Sequence, residues 1–428
     1  MRSSMQPKVG PIVWWSVGVC FFGLVCGSAS AEWFKGVTHV HSLWSDGDMA
    51  PEMIAAWYKE RGYNFVCFSE HSRLQEGDKF VTPASGRKLQ QAHVEAIREK
   101  FGSEWVELQL EEGRAPRMRL KTHDELSAYF DEDGKFLLVP AEEITCSIAD
   151  IHTNGLNLRE PIPGGEGTRA EILQGHLDAV ADQMERYDVQ MVAHVNHLNW
   201  GSGIVSEEMI AVRGLRFFEV YNGHPGVRTW GRASRGMPSN DEHWDIIQSM
   251  RQRRDAAQPL VYGLATDDSH EYHEWSPRNV NPGRGWIMVQ AEELEANALM
   301  QALIDGNFYS TTGVTLADIK RSKGSLSVSI AAEEGVSYTT QFIGTEKGFD
   351  PATAPRRDAA GAPIAGATLE YSGEVGAVLH ETTANPAVYP FSGRELYVRA
   401  VVKSDKAQTN GVEADDVEMA WVQPVRTR

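Results

Sequence analysis

Thr38-His39-Val40-His41-Ser42-Leu43-Trp44-Ser45-Asp46-Gly47 places two histidines two residues apart, with an aspartate in the stretch that follows. On a strand, residues two apart share a face, so His39 and His41 project together. Two imidazoles on one face are a metal-ligand pair, and Asp46 offers a carboxylate beside them. One such pair says little, but the pattern recurs at the ends of later apolar runs. Glu70-His71 closes one run and Glu142-Glu143 another, with His152 close behind. His194 ends Met191-Val192-Ala193, and Asp267-Asp268-Ser269-His270 ends Gly263-Leu264-Ala265. In parallel α/β folds, sites assemble at the carboxyl ends of strands, a position that scattered polar residues would not favour. Together these motifs predict a multinuclear metal site.

The elements that must carry these residues alternate. Strands are expected over 36–41, 64–68, 136–140, 190–194, 215–221 and 260–265. Helices are expected over 51–61, opened by Pro51 and followed by Gly62, and over 168–187 and 242–254. Strand-helix alternation predicts an α/β domain, with a parallel sheet or barrel, over residues 32–315. Residues 73–135 are longer than a connection needs and read as a helix-bearing insertion. From 316 to 428 the pattern changes to alternating polar and β-branched residues, at 325–330, 337–343 and 395–402, which predicts a small β-rich, sandwich-like domain. Thirteen of the 14 histidines lie between His39 and His273, so the chemistry belongs to the first domain.

The order His-x-His-x-x-x-Ser-Asp-Gly, acid-His, Glu before Ile-Thr, Ala-His and Asp-x-His resembles the polymerase and histidinol phosphatase (PHP) superfamily over about residues 34–275. The resemblance implies a distorted seven-stranded (β/α)7 barrel with two or three divalent ions, zinc, manganese or iron. The metal ligands it implies are His39, His41, Asp46, His71, Glu143, His152, His194, Asp268 and His270. Glu143 fits the motif rather than Glu142, and Asp268 rather than Asp267. The strand Phe218-Glu219-Val220-Tyr221-Asn222-Gly223 and the β-rich tail resemble a branch that includes carbamate hydrolases. An amidohydrolase barrel also opens with His-x-His, but it usually ends in a lone Asp rather than Asp268-x-His270.

Clustered divalent ions imply hydrolysis by a metal-bound hydroxide, with water's pKa brought from 15.7 towards about 7. Asp46 and Asp268 are the catalytic carboxylate candidates, and His197 is the candidate proton donor. Arg228, Arg232, Arg278 and Arg284 are candidate phosphate clamps. The expectation is a metal-dependent phosphoesterase acting on small phosphate mono- or diesters. A carbamate, ester or amide hydrolase is the alternative, and a metal-binding surface protein without activity is a third possibility.

The 428 residues carry 41 Lys plus Arg against 59 Asp plus Glu, a net charge of −18 that excludes nucleic acid as a partner. Arg2 and Lys8 precede an apolar stretch over 10–27 and then Ala29-Ser30-Ala31, the order of a secretory signal peptide. A periplasmic or secreted protein is expected, with a small-molecule substrate. It would have no membrane span unless the signal stays uncleaved as an anchor. Cys67 and Cys146 are the two cysteines beyond the signal, too few for a disulfide framework, and read as small core residues.

Overall fold

In the computed structural model, which describes residues 31–84 and 88–427 together with Met1 and Gly10, thirteen strands form one mixed sheet. Of the signal peptide expected over residues 1–31, residues 2–9 and 11–30 lie outside the described residues. The strands are β1 (Glu32–Val37), β2 (Phe65–His71), β3 (Leu137–Cys146), β4 (Ile151–Leu156), β5 (Val192–Val195), β6 (Phe217–Asn222) and β7 (Tyr262–Thr266). They continue as β8 (Trp286–Ala291), β9 (Phe308–Thr311), β10 (Tyr338–Glu346), β11 (Ala377–Thr382), β12 (Glu395–Ala407) and β13 (Val417–Val425). Across the sheet the order is β7-β6-β5-β4-β3-β2-β1-β8-β9-β13-β12-β10-β11.

Neighbours β1–β2, β2–β3, β5–β6 and β6–β7 are parallel. The expected alternation of strand and helix fails between β3 and β4, which form an antiparallel hairpin pairing Ala141 with Leu156 and Cys146 with Ile151. β4 is antiparallel to β5 as well, so it runs against both neighbours. Beyond β7 the chain returns to β1, where the His41 N–H donates to the Ser269 carbonyl and the Asp268 N–H to the His39 carbonyl, both at 3.0 Å. The strand-helix alternation expected of a distorted (β/α)7 barrel is therefore interrupted at β4, which runs against its neighbours. The fold is mixed α/β and dominated by sheet, which continues from β1 through β8 into the C-terminal strands.

The helices are α1 (Pro51–Glu60), α2 (Gln91–Phe101), α3 (His123–Phe130), α4 (Arg169–Tyr187), α5 (Ser206–Ala211), α6 (Asn240–Arg254) and α7 (Ala296–Ile304). Proline opens α1, and Thr122/Glu125 and Thr168/Glu171 capping boxes open α3 and α4. Segment 73–135 carries α2, α3 and a small sheet of Phe80–Val81, Leu108–Gln109 and Arg117–Arg119. Its Val94, Ile97 and Met118 pack on Leu43 and Trp44, so the segment lies against the loop after β1.

The boundary expected at residue 316 falls just beyond β9, within the compact unit Ala31–Arg428. The main sheet crosses it through the β9–β13 pairing. A second sheet of Leu316–Arg321, Ser325–Ile330 and Ala387–Pro390 packs Leu316, Leu326 and Val328 against Phe342, Val398 and Val402 of the main sheet. Arg399 on β12 ties this region to α6, donating to both Asp245 oxygens at 2.8 and 2.6 Å and forming an ion pair with Asp241 at 2.8 Å.

Residues of one face show how the fold places the polar cluster. Phe65 and Cys67 on β2, Val139 and Ala141 on β3, Val192 on β5 and Phe217 on β6 pack in one apolar core. Two residues further along the same faces come Glu143, His194 and Glu219, and His71 ends the β2 face. β4 runs backwards, so its His152 comes first and its core residue Leu156 last. On this face β2, β3, β5 and β6 are therefore apolar in their first halves and polar in their second, and β4 has the reverse order. At Gly36, where β1 meets β2, a Cβ would fall inside the Phe65 ring, so glycine is required for that close pairing.

Glu52, at the start of α1, is 3% exposed, and one carboxylate oxygen has no hydrogen-bond partner. Burial pushes its carboxyl up to about 7. The unfolded chain ionises this group above about 4.5, whereas the folded protein resists until about 7. Its contribution is thus fully present below pH 4.5 and lost as pH rises through 7. Glu52→Gln is expected to raise stability at pH 8 by about 3 kcal/mol relative to its effect at pH 4.5. Urea unfolding at the two pH values checks this, and an equal effect at both would refute it.

Candidate metal centre

Four imidazoles are held so that one nitrogen of each faces a common space. The His39 Nδ1 lies 2.6 Å from Glu219 Oε1, which as a carboxylate can only accept. The Ser45 hydroxyl donates to Glu70, so it accepts from His41 Nδ1 at 3.1 Å. Thr145 Oγ1 donates to the Glu143 carbonyl and so accepts from His71 Nδ1 at 2.8 Å. His270 Nδ1 donates to the Asp268 carbonyl at 2.8 Å. In its neutral form each ring carries its proton on Nδ1 and turns an Nε2 lone pair inward, the tautomer a divalent cation needs.

The inward atoms are close together. His39 and His41 approach nose to nose, Nε2 to Nε2, at 3.0 Å, and Asp268 Oδ1 lies 3.2 and 3.4 Å from them. Two lone pairs facing each other repel unless a positive charge lies between them. Asp46 Oδ1 is 3.3 Å from His270 Nε2, and its Oδ2 is 3.6 Å from His71 Nε2. Glu143 is the hub, with Oε1 at 2.9 Å from His152 Nδ1 and 3.1 Å from His197 Nε2, and Oε2 at 2.8 Å from His71 Nδ1. Among the described residues three groups could hold an ion: His41/Asp46/His71/His270, His39/His41/Asp268 and His71/Glu143/His152. The fit to divalent cations is good, because these donors are hard oxygens and imidazole nitrogens within reach of one another.

His194 belongs to none of these groups, yet both its ring nitrogens are buried without a hydrogen bond. Its Nδ1 lies 3.7 Å from Glu219 Oε1. An orphaned buried imidazole is costly, and a cation would relieve it. Alternation along the strands sorts the doubled acids. Glu142 turns away and accepts from the Ile162 N–H at 2.7 Å, and Asp267 accepts from the N–H groups of Gly283, Arg284 and Gly285. Glu70 faces away too, bonded to Ser42, Ser45 and Gln75.

Electrostatics follow from the crowding. Burial works to raise the carboxyls of Glu143 and Asp268, but the surrounding histidines hold both well below the usual range. Burial lowers His71, yet Glu143 and Asp46 outweigh it and lift the ring to about 10. Burial alone dominates at His194 and takes it down to about 4. The carboxylates thus favour positive charge at the inward nitrogens, where protons and metal ions compete.

Sequence reasoning missed Glu219, Asn196 and Asn222 as parts of the site. Glu219 is fully buried and takes the His39 Nδ1–H, the His197 N–H at 2.7 Å and the Asn222 amide at 2.8 Å. Asn196 donates to Glu143 Oε1 at 2.8 Å. The available signal was a lone acid inside the apolar run Phe217-Phe218-Glu219-Val220. Glu219→Gln is expected to weaken metal binding by about 10–100-fold, since the orienting partner of a ligand histidine is lost. Chelator competition measures it, and an affinity within twofold of the parent would count against the role.

The cleft leading to the cluster has a volume of about 670 Å³ and is lined by Asp46, Asp48, Lys88, His224, His270 and Glu271 among others. None of the four candidate arginines lines it. Arg284 spends its guanidinium on the carbonyls of Gly223, Ser276, Asn279 and Asn410, where it staples loops together. Trp244 and Tyr221 are core, whereas Trp230 and Trp275 are exposed. Cys67 and Cys146 are free and buried. No helix among the described residues is long and apolar enough to cross a membrane.

No family model matches the chain, and no curated protein matches it. Among solved structures, the chain is similar to a two-domain protein from Bacteroides vulgatus ATCC 8482 containing a predicted PHP-like metal-dependent phosphoesterase. That pair is 13% identical, the match covers 92% of this chain and 96% of the other, and the TM-score is 0.39.

Proposed function

We propose that the chain is an extracytoplasmic metal-dependent hydrolase with a PHP-like metal centre, acting on small phosphate mono- or diesters. The observation that carries this is the set of inward Nε2 atoms of His39, His41, His71 and His270, interleaved with Asp46, Glu143 and Asp268. These residues, with His152 and His194, would hold two or three divalent ions, zinc, manganese or iron. Such ions make water more acidic and polarise a phosphoryl or carbonyl oxygen. Asp46, Glu143 and Asp268 offset the added positive charge. His197, whose Nε2 lies 3.1 Å from Glu143 Oε1, would hold a proton near the reacting group. Placement outside the cytoplasm rests on the basic, apolar and small-residue order of residues 2–31.

One observation favours a second substrate class, carbamates, esters or amides. Lys88 is the single Lys or Arg among the described residues lining the cleft, against Asp46, Asp48, Glu271 and Glu274. A phosphate monoester dianion would find little protein charge to hold it there, whereas an uncharged ester or a monoanionic diester meets less repulsion. Nitrophenol release from nitrophenyl phosphate, bis-nitrophenyl phosphate, a nitrophenyl carbamate and nitrophenyl acetate, with manganese or zinc, separates the two. Turnover of phosphates, abolished by His39→Ala, supports the first reading. Turnover confined to carbamate or acetate replaces it with the second.

A further inference from the structure

His224 lines the same cleft as Asp46 and His270, with its ring perpendicular to that of His270 at 5.9 Å between centroids. Its hydrogen bonding is the reverse of the four rings described above. The Gly226 N–H donates to His224 Nδ1 at 2.8 Å, so this nitrogen is an acceptor and the neutral ring carries its proton on Nε2. A ring in this tautomer offers the cleft a donor, where His39, His41, His71 and His270 offer lone pairs.

Two further features fix the ring in place. A Cβ at position 226 would lie 2.8 Å from His224 Cε1 and 2.9 Å from Nδ1, so glycine is what allows the ring to lie against that backbone. The His224 N–H donates to Asn222 Oδ1 at 2.8 Å, while Asn222 Nδ2 donates to Glu219 and Asp268 at 2.8 and 3.1 Å. One asparagine thus joins the His224 backbone to two carboxylates of the centre.

We propose that His224 presents a fixed Nε2–H to the leaving-group oxygen of the substrate and stabilises the charge that develops there. This rests on the hydrolase function proposed above. As the oxygen of water bonds to phosphorus or to a carbonyl carbon, the water gives up a proton to solvent, the bond from that centre to the leaving oxygen breaks and its electron pair stays on that oxygen. Nε2 keeps its proton throughout, because transferring it would leave an imidazolate. The leaving oxygen takes a proton from solvent after release. A preorganised donor of this kind acts where charge appears and needs no rearrangement.

The test compares aryl esters that share one phosphoryl or acyl group, whichever the parent turns over, with 4-nitrophenol, phenol and 4-methoxyphenol as leaving groups. His224→Ala is expected to lower kcat about threefold for the nitrophenyl ester and about 100-fold for the phenyl and methoxyphenyl esters. His224→Gln, which keeps an N–H donor, should recover part of the loss. Gly226→Ala, which displaces the ring, should reproduce the same leaving-group dependence. Nitrogen-15 NMR of the histidine rings supplies a readout independent of turnover. It should show His224 unprotonated at Nδ1 and protonated at Nε2, a pattern disturbed in Gly226→Ala. A kcat loss equal across leaving groups, an effect on KM alone, or a proton on Nδ1 overturns the proposal and leaves the hydrolase function standing. Inactivity of the parent protein on every ester overturns the hydrolase function and the donor's role together, while the NMR still reads the tautomer.

Discussion

Glu143→Gln is expected to strip the protein of most of its bound metal and to lower turnover by about 10³-fold, equivalent to roughly 4 kcal/mol. The substitution keeps the volume and one oxygen but removes the charge at the junction of the cluster. Glu143 touches His71, His152 and His197 and accepts from Asn196, and its Oε2 lies 3.4 Å from His41 Nε2. No other carboxylate in the cluster reaches as many imidazoles, so losing its charge weakens several ion positions at once. Elemental analysis of the purified variant and nitrophenyl turnover check this. Glu142→Gln is the control, because its carboxylate lies on the opposite face of β3 and should leave both quantities within about threefold of the parent. A Glu143→Gln protein with full metal content and activity within tenfold of the parent would remove Glu143 from the centre.

The second large effect concerns stability. Arg399→Ala is expected to cost about 3–5 kcal/mol, because it leaves the buried Asp245 carboxylate without its cation. The guanidinium is 1% exposed, stacks over Trp244 at 4.7 Å and binds both oxygens of Asp245 as well as Asp241. Tyr397 also donates to Asp245 at 2.8 Å, so the aspartate is committed to the pair and has little access to water. Removing both charges in Arg399→Met/Asp245→Leu should cost less than Arg399→Ala alone, since burying an ion pair already carries a desolvation penalty. Urea unfolding of the three proteins decides it. A loss below 1 kcal/mol in Arg399→Ala would show that the pair holds nothing.

Part of the candidate site was legible in the chain because strand geometry has a period of two. That rule distinguishes Glu143 from Glu142 on β3, whereas His39 and His41 lie beyond the end of β1 and Asp268, at φ +51°, and His270 beyond the end of β7, where backbone bonds between the two segments bring them together. The β3–β4 hairpin was not legible. Ile151-His152-Thr153-Asn154-Gly155-Leu156 contains three polar residues and a glycine, and its strand character comes from pairing with β3 and β5 rather than from local preference. Glu219 was passed over because an acid in an apolar strand has no local partner, and its partner His39 lies far away in the chain. Arg284 shows the opposite case. Its charge was visible, but its carbonyl partners come from three separate loops that only the tertiary fold assembles.

The pairing of β1 with β8 has a consequence for how the chain is made. Glu32 through Gly36 lie against Ala291 through Ile287, while β1 shares only two register positions with β2. β1, the first strand among the described residues, must therefore wait for β8 to be made before its longer edge is covered. Such late, distant pairing slows folding and leaves an apolar strand edge open to other copies in the meantime. A fragment ending at residue 275 would include every proposed metal ligand and still lack the strand that covers β1. Its expected fate is aggregation, so holding the nascent chain apart until β8 arrives is as much a condition of an active protein as the ligands themselves.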